Sequence, residues 1–278
     1  MKALVIGHRG MLGTDLMDHL AAAGHDAVGL DLPDIDITDR RQVIRMVSGA
    51  APDVVFHLAA WTDVDGAEEQ EEQALLVNGE GTRNVAIACR EAGSTLVAVS
   101  TDYVFPGTGG PYQEDSATDP IQAYGRTKLA GERLAELEYP DGTRIARTAW
   151  LYGAHGRNFV DTMIGLGSDP SRDHVDVVAD QTGCPTWTKD LCPALVNVAG
   201  LPPGIYHCAG GGSTTWADLC REAFRLAEVH CEVHDTTTEA FDRPAPRPEV
   251  SVLEVTQEGA PRLRAWEDAL ADYIRERS

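Results

Sequence analysis

Short apolar runs alternate with longer amphipathic segments through the first half of the chain. The amphipathic segments carry apolar residues at helical spacing, as at Leu12, Leu16 and Leu20, and end at breakers such as Gly24. The short apolar runs predict β-strands, at Ala3–Ile6, Ala27–Leu30, Val54–Leu58, Leu96–Ser100 and Arg144–Thr148. Strands alternating with helices in this way predict an α/β fold, a doubly wound parallel sheet covered by helices on both faces.

The pattern changes after about residue 150. Gly and Pro become more frequent, and two short strands are predicted at Asp176–Ala179 and Gly204–Cys208. Two separate helices are predicted near Trp216–Ala227 and Trp266–Arg275. We therefore expect a larger domain over 1–150, with a return segment near 180–200, and a smaller α/β lobe over 151–278.

Charge limits the partners that the protein can have. Acidic residues number 44 against 23 Lys plus Arg, a formal net charge of −21, which disfavours nucleic acids and anionic membranes as partners. A nucleotide can still bind in a local pocket of oriented N–H donors.

The six cysteines lack metal-binding or redox spacing, so we expect buried, reduced thiols. The chain opens directly into a strand and has no long apolar stretch, which predicts a cytoplasmic protein that does not enter membranes.

Three glycines, Gly7, Gly10 and Gly13, follow the first predicted strand and open the first helix. A turn without side chains lets the backbone approach a pyrophosphate at the helix N-terminus, so the strand, turn and helix predict a Rossmann-type NAD(P)-binding domain. We expect Arg9, Met11 and Leu12 to contact the cofactor with the glycines. The alternative for the glycines alone is an ordinary tight turn.

The cofactor's identity stays open between NADH and NADPH. Asp31 ends the second strand, where a carboxylate binds a ribose hydroxyl and repels a 2′-phosphate. Arg9 favours NADPH, because its guanidinium can pair with that phosphate. The alternative is that Arg9 is exposed and only solvated. Asp36 and Ile37 are candidates for the adenine rim, with a helix N-cap as the alternative role of Asp36 or Asp39.

Tyr124 and Lys128 lie four residues apart at the head of a predicted helix, so their side chains share one face. A nearby ammonium lowers a phenol's pKa and prepares it for proton transfer. With seven Tyr and three Lys in 278 residues, chance would give about 0.08 such pairs, which disfavours an accidental surface pair. Thr101, at the end of the fourth strand, can join them, or it can simply cap that strand.

These residues resemble the extended short-chain dehydrogenase/reductases, and more narrowly the dTDP-4-dehydrorhamnose reductase family, over nearly the whole chain. The resemblance is carried by the glycine turn, by S-T-D-Y-V-F at 100–105 and by Y-G-R-T-K-L-A-G-E at 124–132. Further matching stretches are A-A-W-T-D-V-D-G-A-E at 59–68, R-T-A-W-L-Y-G at 147–153, N-F-V at 158–160, D-Q-T-G-C-P-T at 180–186 and G-I-Y-H at 204–207.

The resemblance implies roles for particular residues. Tyr124 would donate the proton, Lys128 would hold the cofactor ribose and tune Tyr124, and Thr101 would polarise the ketone. Further cofactor contacts are implied at Ala60, Trp61, Thr62 and Val99. Sugar-nucleotide contacts are implied at Asp102, Val104, Trp150 and Asn158, with plain core packing as the alternative for Trp150.

Two departures from the family affect the expected cofactor and metal. Leu32 follows Asp31 where the family often has a basic residue, which weakens the case for NADPH at that place. Some members dimerise through a Mg²⁺ site lined by acidic residues; Asp15 lies at one such position, but Lys189 lies near another. Mg²⁺ is therefore disfavoured, no metal is expected, and a homodimer stays an open prediction.

The resemblance implies a cytoplasmic enzyme of dTDP-rhamnose biosynthesis that uses NADPH or NADH to reduce the 4-keto group of a dTDP-4-keto-6-deoxyhexose. One alternative is a 4-ketoreductase for another activated deoxysugar, such as an antibiotic sugar. The other is a non-catalytic regulatory subunit on the same fold, which the presence of Tyr124, Lys128 and Thr101 disfavours.

Overall fold

The computed structural model describes residues 1–277. Its strands are β1 (Lys2–Ile6), β2 (Asp26–Leu30), β3 (Val54–His57), β4 (Thr95–Thr101), β5 (Thr143–Thr148), β6 (Leu151–Tyr152), β7 (His174–Val178), β8 (Thr182–Gly183), β9 (Thr186–Trp187), β10 (Gly204–His207), β11 (Thr214–Thr215) and β12 (Glu232–Thr236). Its α-helices are α1 (Met11–Ala22), α2 (Arg40–Ala50), α3 (Val64–Glu69), α4 (Glu71–Leu75), α5 (Thr82–Ala92), α6 (Ala123–Glu138), α7 (Phe159–Gly167), α8 (Thr188–Ala199), α9 (Trp216–Leu226) and α10 (Trp266–Arg277).

Six parallel strands form the main sheet, in the order β10-β5-β4-β3-β1-β2. Alternate residues of each strand pack against helices on opposite faces, as a sheet buried on both sides requires. Apolar residues of α1 and α8 cover one face, and those of α2, α5 and α6 cover the other. The predicted α/β class and doubly wound parallel sheet are confirmed, and each predicted strand is present within one residue or two of its expected ends.

The smaller lobe is built around a second, two-stranded parallel sheet of β7 and β12. Val175 and Val177 of β7 pack against Met163 of α7 and Phe224 of α9. A further cluster joins α10 to the β6 and β9 pair. The lobe is therefore an α/β unit with its own core.

The return to the larger domain extends further than expected. After the first part of the lobe, α8 packs on α1, and β10 pairs with β5 at the edge of the main sheet. Gly204–His207 therefore belongs to the Rossmann-type sheet, although the sequence boundary assigned this strand to the lobe.

Five cysteines are free and buried, as expected, whereas Cys231 is half-buried. Among residues 1–277, no helix has the length and apolar character needed to cross a membrane.

Candidate active site

A cavity of about 890 Å³ opens at the carboxyl ends of the parallel strands, next to the start of α6. This edge, where the strand order changes direction, is where open α/β sheets bind nucleotides. Most of the residues expected to bind cofactor or substrate lie on its wall: Gly7, Arg9, Gly10, Met11, Leu12, Gly13, Asp31, Asp36, Ile37, Ala60, Thr62, Val99, Thr101, Asp102, Tyr124, Lys128 and Trp150.

The glycine turn fits a pyrophosphate. Gly7 has φ +90°, and a Cβ there would lie 2.6 Å from the Ala59 nitrogen; a Cβ on Gly13 would lie 2.2 Å from the Gly7 carbonyl oxygen. These two glycines let α1 pack closely against β1. Gly10, the N-cap of α1, is less crowded, because a Cβ there would approach only the Gly7 carbonyl oxygen, at 3.4 Å. The cavity thus meets the positive end of α1, where a phosphate binds favourably.

Asp31 and Arg9 lie together at the end of β2. The Asp31 carboxylate accepts from the Arg9 backbone nitrogen at 3.1 Å, and the Arg9 guanidinium donates to the Leu32 carbonyl oxygen at 2.8 Å and to Asp34 at 3.2 Å. A carboxylate for a ribose hydroxyl and a guanidinium for a 2′-phosphate are both present. The local geometry therefore accommodates either nicotinamide cofactor. Of the two candidate N-caps, Asp39 caps α2, whereas Asp36 lies on the cavity wall.

A buried amide holds the loop that carries Ala60 and Thr62. Asn78 lies in a π-helical segment, Leu76–Gly81, and exchanges hydrogen bonds with the backbone of Trp61 at 2.8 and 3.1 Å. The same amide donates to Thr127 in α6 at 3.1 Å. Trp61 and Tyr124 both pack against the buried cluster of Ala67, Ala74 and Ala123. Trp61 is not among the residues of the cavity wall, and its cofactor contact stays a prediction.

The start of α6 packs directly on the end of β4. Gln122 caps the helix by accepting from the Gly125 nitrogen, and a Cβ on Gly125 would lie 2.1 Å from the Tyr103 carbonyl oxygen. This close approach brings the Tyr124 hydroxyl to hydrogen-bonding distance of Thr101. Thr101 also accepts from the Tyr103 nitrogen at 3.2 Å, so it caps the short 3₁₀ helix Asp102–Val104 that follows β4, and it lies on the cavity wall.

The ionisation of Tyr124 differs from the expectation. Burial raises its pKa to about 12, the Asp102 carboxylate adds to the rise, and the hydrogen bond with Thr101 opposes it. The buried ammonium of Lys128 donates to the Val99 carbonyl oxygen at 2.8 Å. Burial lowers the pKa of Lys128 to about 8, with Glu132 opposing. Tyr124 is thus a protonated phenol at neutral pH.

Asp102 is a buried carboxyl group beside the pair. Burial raises its pKa to about 6, and hydrogen bonds from Ser251 and Thr101 oppose the rise. Two further buried hydroxyls on the cavity wall, those of Ser100 and Thr148, have no hydrogen-bond partner within the described chain. Because buried polar atoms normally find partners, these atoms favour a polar ligand in the cavity.

Trp150 combines a cavity-lining and a core role. Its backbone has φ +46°, an unusual conformation for a bulky residue and one that clusters at ligand sites. Its ring stacks on Trp216 of the smaller lobe at 3.5 Å between centroids, with 4° between planes. The indole is therefore fixed where the lobe meets the cavity.

Two residues expected to contact the substrate lie elsewhere. The Val104 side chain is fully buried in an apolar cluster with Phe105 and Leu129. Asn158 caps α7 by accepting from the Asp161 nitrogen, and it donates to the Gly153 carbonyl oxygen and the Tyr273 hydroxyl. The Val104 side chain therefore packs in the core, and the Asn158 side chain caps a helix. A sequence motif that matches the family cannot tell these roles from contact with a ligand.

Sequence reasoning missed several residues of the cavity wall. The wall also contains Leu32, Ile35, Thr38, Val77, Ala149, Leu151, Gly156 and Arg157. Arg157 is a cation in an otherwise strongly acidic protein, a signal that could have drawn attention to it. Val77 could not have been found, since it reaches the cavity through the π-helical segment.

Asp15, which lies at a position considered for Mg²⁺, contacts other groups of the protein. The buried Asp15 carboxylate accepts from the Thr188 hydroxyl and lies 3.5 Å from the His155 ring. Lys189 forms an ion pair with Glu276.

The sheet, the glycine turn and the cavity define an α/β nucleotide-binding protein of the oxidoreductase type. The chain belongs to the family described as "RmlD substrate binding domain", whose model matches residues 1–278. It is 47% identical over 280 residues to the dTDP-4-dehydrorhamnose reductase of Streptomyces griseus, covering 97% of this chain and 91% of that protein. It is 47% identical over 225 residues to the dTDP-4-keto-6-deoxy-D-glucose reductase of Streptomyces niveus, covering 80% and 77%.

A solved structure has the same fold. The dTDP-4-dehydrorhamnose reductase of Bacillus anthracis, crystallised in complex with NADP, superposes with a TM-score of 0.95 at 36% identity and covers 99% of this chain and 100% of that one. The expected family is confirmed.

Proposed function

We propose that this protein uses NADPH or NADH to reduce the 4-keto group of a dTDP-4-keto-6-deoxyhexose, converting dTDP-4-dehydrorhamnose to dTDP-L-rhamnose. One observation carries the proposal: a single cavity joins the glycine turn to Thr101, Tyr124 and Lys128. Family membership and the names of the relatives support the same reaction.

The residues around Tyr124 are suited to protonating a ketone. Bound NADPH or NADH supplies the hydride. Tyr124, a phenol that is protonated at neutral pH, gives its proton to the oxygen that becomes the new hydroxyl. The Thr101 hydroxyl, which donates to Asp102 at 3.0 Å in this structure, would turn to donate to the same oxygen and stabilise its developing charge. Lys128, held at the Val99 carbonyl oxygen, would bind the cofactor ribose.

Other residues of the cavity wall suit the sugar nucleotide. Trp150 offers an indole face fixed by Trp216, against which a deoxysugar ring can pack. Arg157 supplies a cation for the diphosphate. Asp102 and the unpaired hydroxyls of Ser100 and Thr148 offer hydrogen bonds in the interior of the cavity.

The test is reduction of dTDP-4-dehydrorhamnose by the purified protein, followed by oxidation of NADPH or NADH. Tyr124→Phe should reduce kcat by about 10²–10⁴-fold, the usual contribution of a general acid, while leaving cofactor binding intact. Tyr103→Phe is the matched control, because that ring lies 6.0 Å from Tyr124 and outside the cavity wall. Full turnover in Tyr124→Phe would contradict the mechanism.

A second candidate is 4-keto reduction of another dTDP-deoxysugar, which the 47% identity to the Streptomyces niveus reductase favours. Product stereochemistry from a panel of keto sugars decides between the two. Cofactor binding without turnover across that panel would indicate the non-catalytic alternative. A homodimer and a cytoplasmic location stay predictions.

A further inference from the structure

The smaller lobe carries metal-ligating side chains on the outer face of the β7 and β12 pair. His174 and Asp176 are two residues apart on β7, so they point to the same side, and both are exposed. Glu232 and His234 have the same relation on β12. The parallel register places Glu232 opposite His174 and His234 opposite Asp176. Two imidazoles and two carboxylates therefore share one small patch of sheet.

The side chains already lie close together. Ligand atoms of His174, Asp176 and His234 all fall within 4.8 Å of one another. The two imidazole rings stack with centroids 4.5 Å apart and 19° between planes. Ligands about 2.0–2.1 Å from a tetrahedral metal lie about 3.4 Å from each other, so small rotations of exposed side chains would close the site.

Carboxylates also orient both rings. Nδ1 of His174 is hydrogen bonded to Asp173 at 2.7 Å, and Nε2 of His234 is hydrogen bonded to Glu232 at 3.1 Å. One nitrogen of each ring is thus engaged, and the other is left for a metal. Histidine ligands in proteins generally have such a carboxylate or carbonyl partner, which fixes the tautomer and increases the ring's basicity.

We propose that His174, Asp176 and His234 form a binding site for a divalent transition metal of the Zn²⁺ or Ni²⁺ type, with water completing its coordination. Imidazole ligands select such ions over Mg²⁺ and Ca²⁺, which prefer oxygen. The ion joins β7 to β12, the two strands of a small sheet, and stiffens the lobe. None of the three residues lies on the wall of the active-site cavity, so the site does not depend on the proposed function.

The test titrates the intact chain, freed of any affinity tag, with Zn²⁺ by calorimetry in a non-coordinating buffer. We expect one equivalent to bind, the melting temperature to rise with Zn²⁺ concentration, and amide exchange to slow in β7 and β12. His174→Ala and His234→Ala should each weaken binding by about tenfold or more, and Asp173→Asn by about 10–100-fold through loss of the orienting carboxylate. Reductase turnover should be unchanged in His174→Ala.

Two controls decide whether the site is the one proposed. His155 is matched in exposure, 42% against 44% for His174 and 50% for His234, and it faces a single carboxylate, so His155→Ala should bind Zn²⁺ normally. Cys231→Ser should also bind normally. The proposal is overturned if no stoichiometric binding occurs, if His174→Ala and His234→Ala bind as the unaltered protein does, or if either control loses the ion.

Discussion

Lys128 imposes a pH-dependent cost on the folded protein. Its side chain is 8% exposed, and burial lowers its pKa from 10.5 to about 8. The unfolded chain therefore binds more protons than the folded one between about pH 8 and pH 10.5, and stability rises with pH across this window. At about 1.4 kcal/mol per pKa unit, the cost is about 3 kcal/mol near pH 7 and falls to about 1.5 kcal/mol near pH 9.5.

Lys128→Met removes this ionisation, so the free energies of unfolding of variant and unaltered protein should follow different pH dependences. Measured by urea denaturation, the unaltered protein should gain about 2 kcal/mol relative to Lys128→Met between about pH 7 and pH 9.5. Groups that titrate alike in both proteins contribute equally to the two unfolding free energies, so their contribution cancels in the difference. Lys2→Met, at a half-buried surface position, is the control and should run parallel to the unaltered protein. Parallel curves for Lys128→Met would refute the reasoning.

Two further substitutions test the packing around the cavity. Gly13→Ala would place a methyl 2.2 Å from a backbone oxygen, so we expect a loss of about 1–3 kcal/mol in unfolding free energy and weaker binding of NADPH. Gly49→Ala, which meets nothing within 4 Å, should not destabilise the protein. Glu132→Gln leaves the buried Arg147 without its counter-charge and should cost about 3–5 kcal/mol by urea denaturation. Glu71→Gln breaks an exposed pair and should cost at most about 1 kcal/mol; equal losses in the two Gln variants would contradict the role of burial.

The pattern of apolar residues and glycines along the chain was enough to predict the parallel sheet and the edge of the sheet where the cavity lies. Buried parallel strands are nearly continuous apolar runs, and a glycine turn after the first strand fixes the nucleotide-binding edge. The assignment of Gly204–His207 failed, because pairing with β5 depends on a contact between segments about 60 residues apart. A short strand carries no signal for the sheet that it joins.

The shared position of Thr101, Tyr124 and Lys128 on one cavity wall was predictable, because the chemistry of each residue and its place in the fold agree. The raised pKa of Tyr124 was not predictable, since it depends on burial and on the Asp102 carboxylate rather than on spacing along a helix. The position of the Val104 side chain likewise depends on burial in the folded protein. Val104 follows Ser100, Thr101 and Asp102, which line the cavity, yet its own side chain is buried in the core.

The return of α8 and β10 to the main sheet means that each part of the protein is made from two separate stretches of chain. A fragment ending near residue 150 would expose one face of β1, β3 and β4 and leave β5 as an open edge. Exchanging the lobe for that of a relative would require three junctions rather than one. Variation in substrate choice is therefore more easily reached by changing side chains around the cavity than by recombining whole domains.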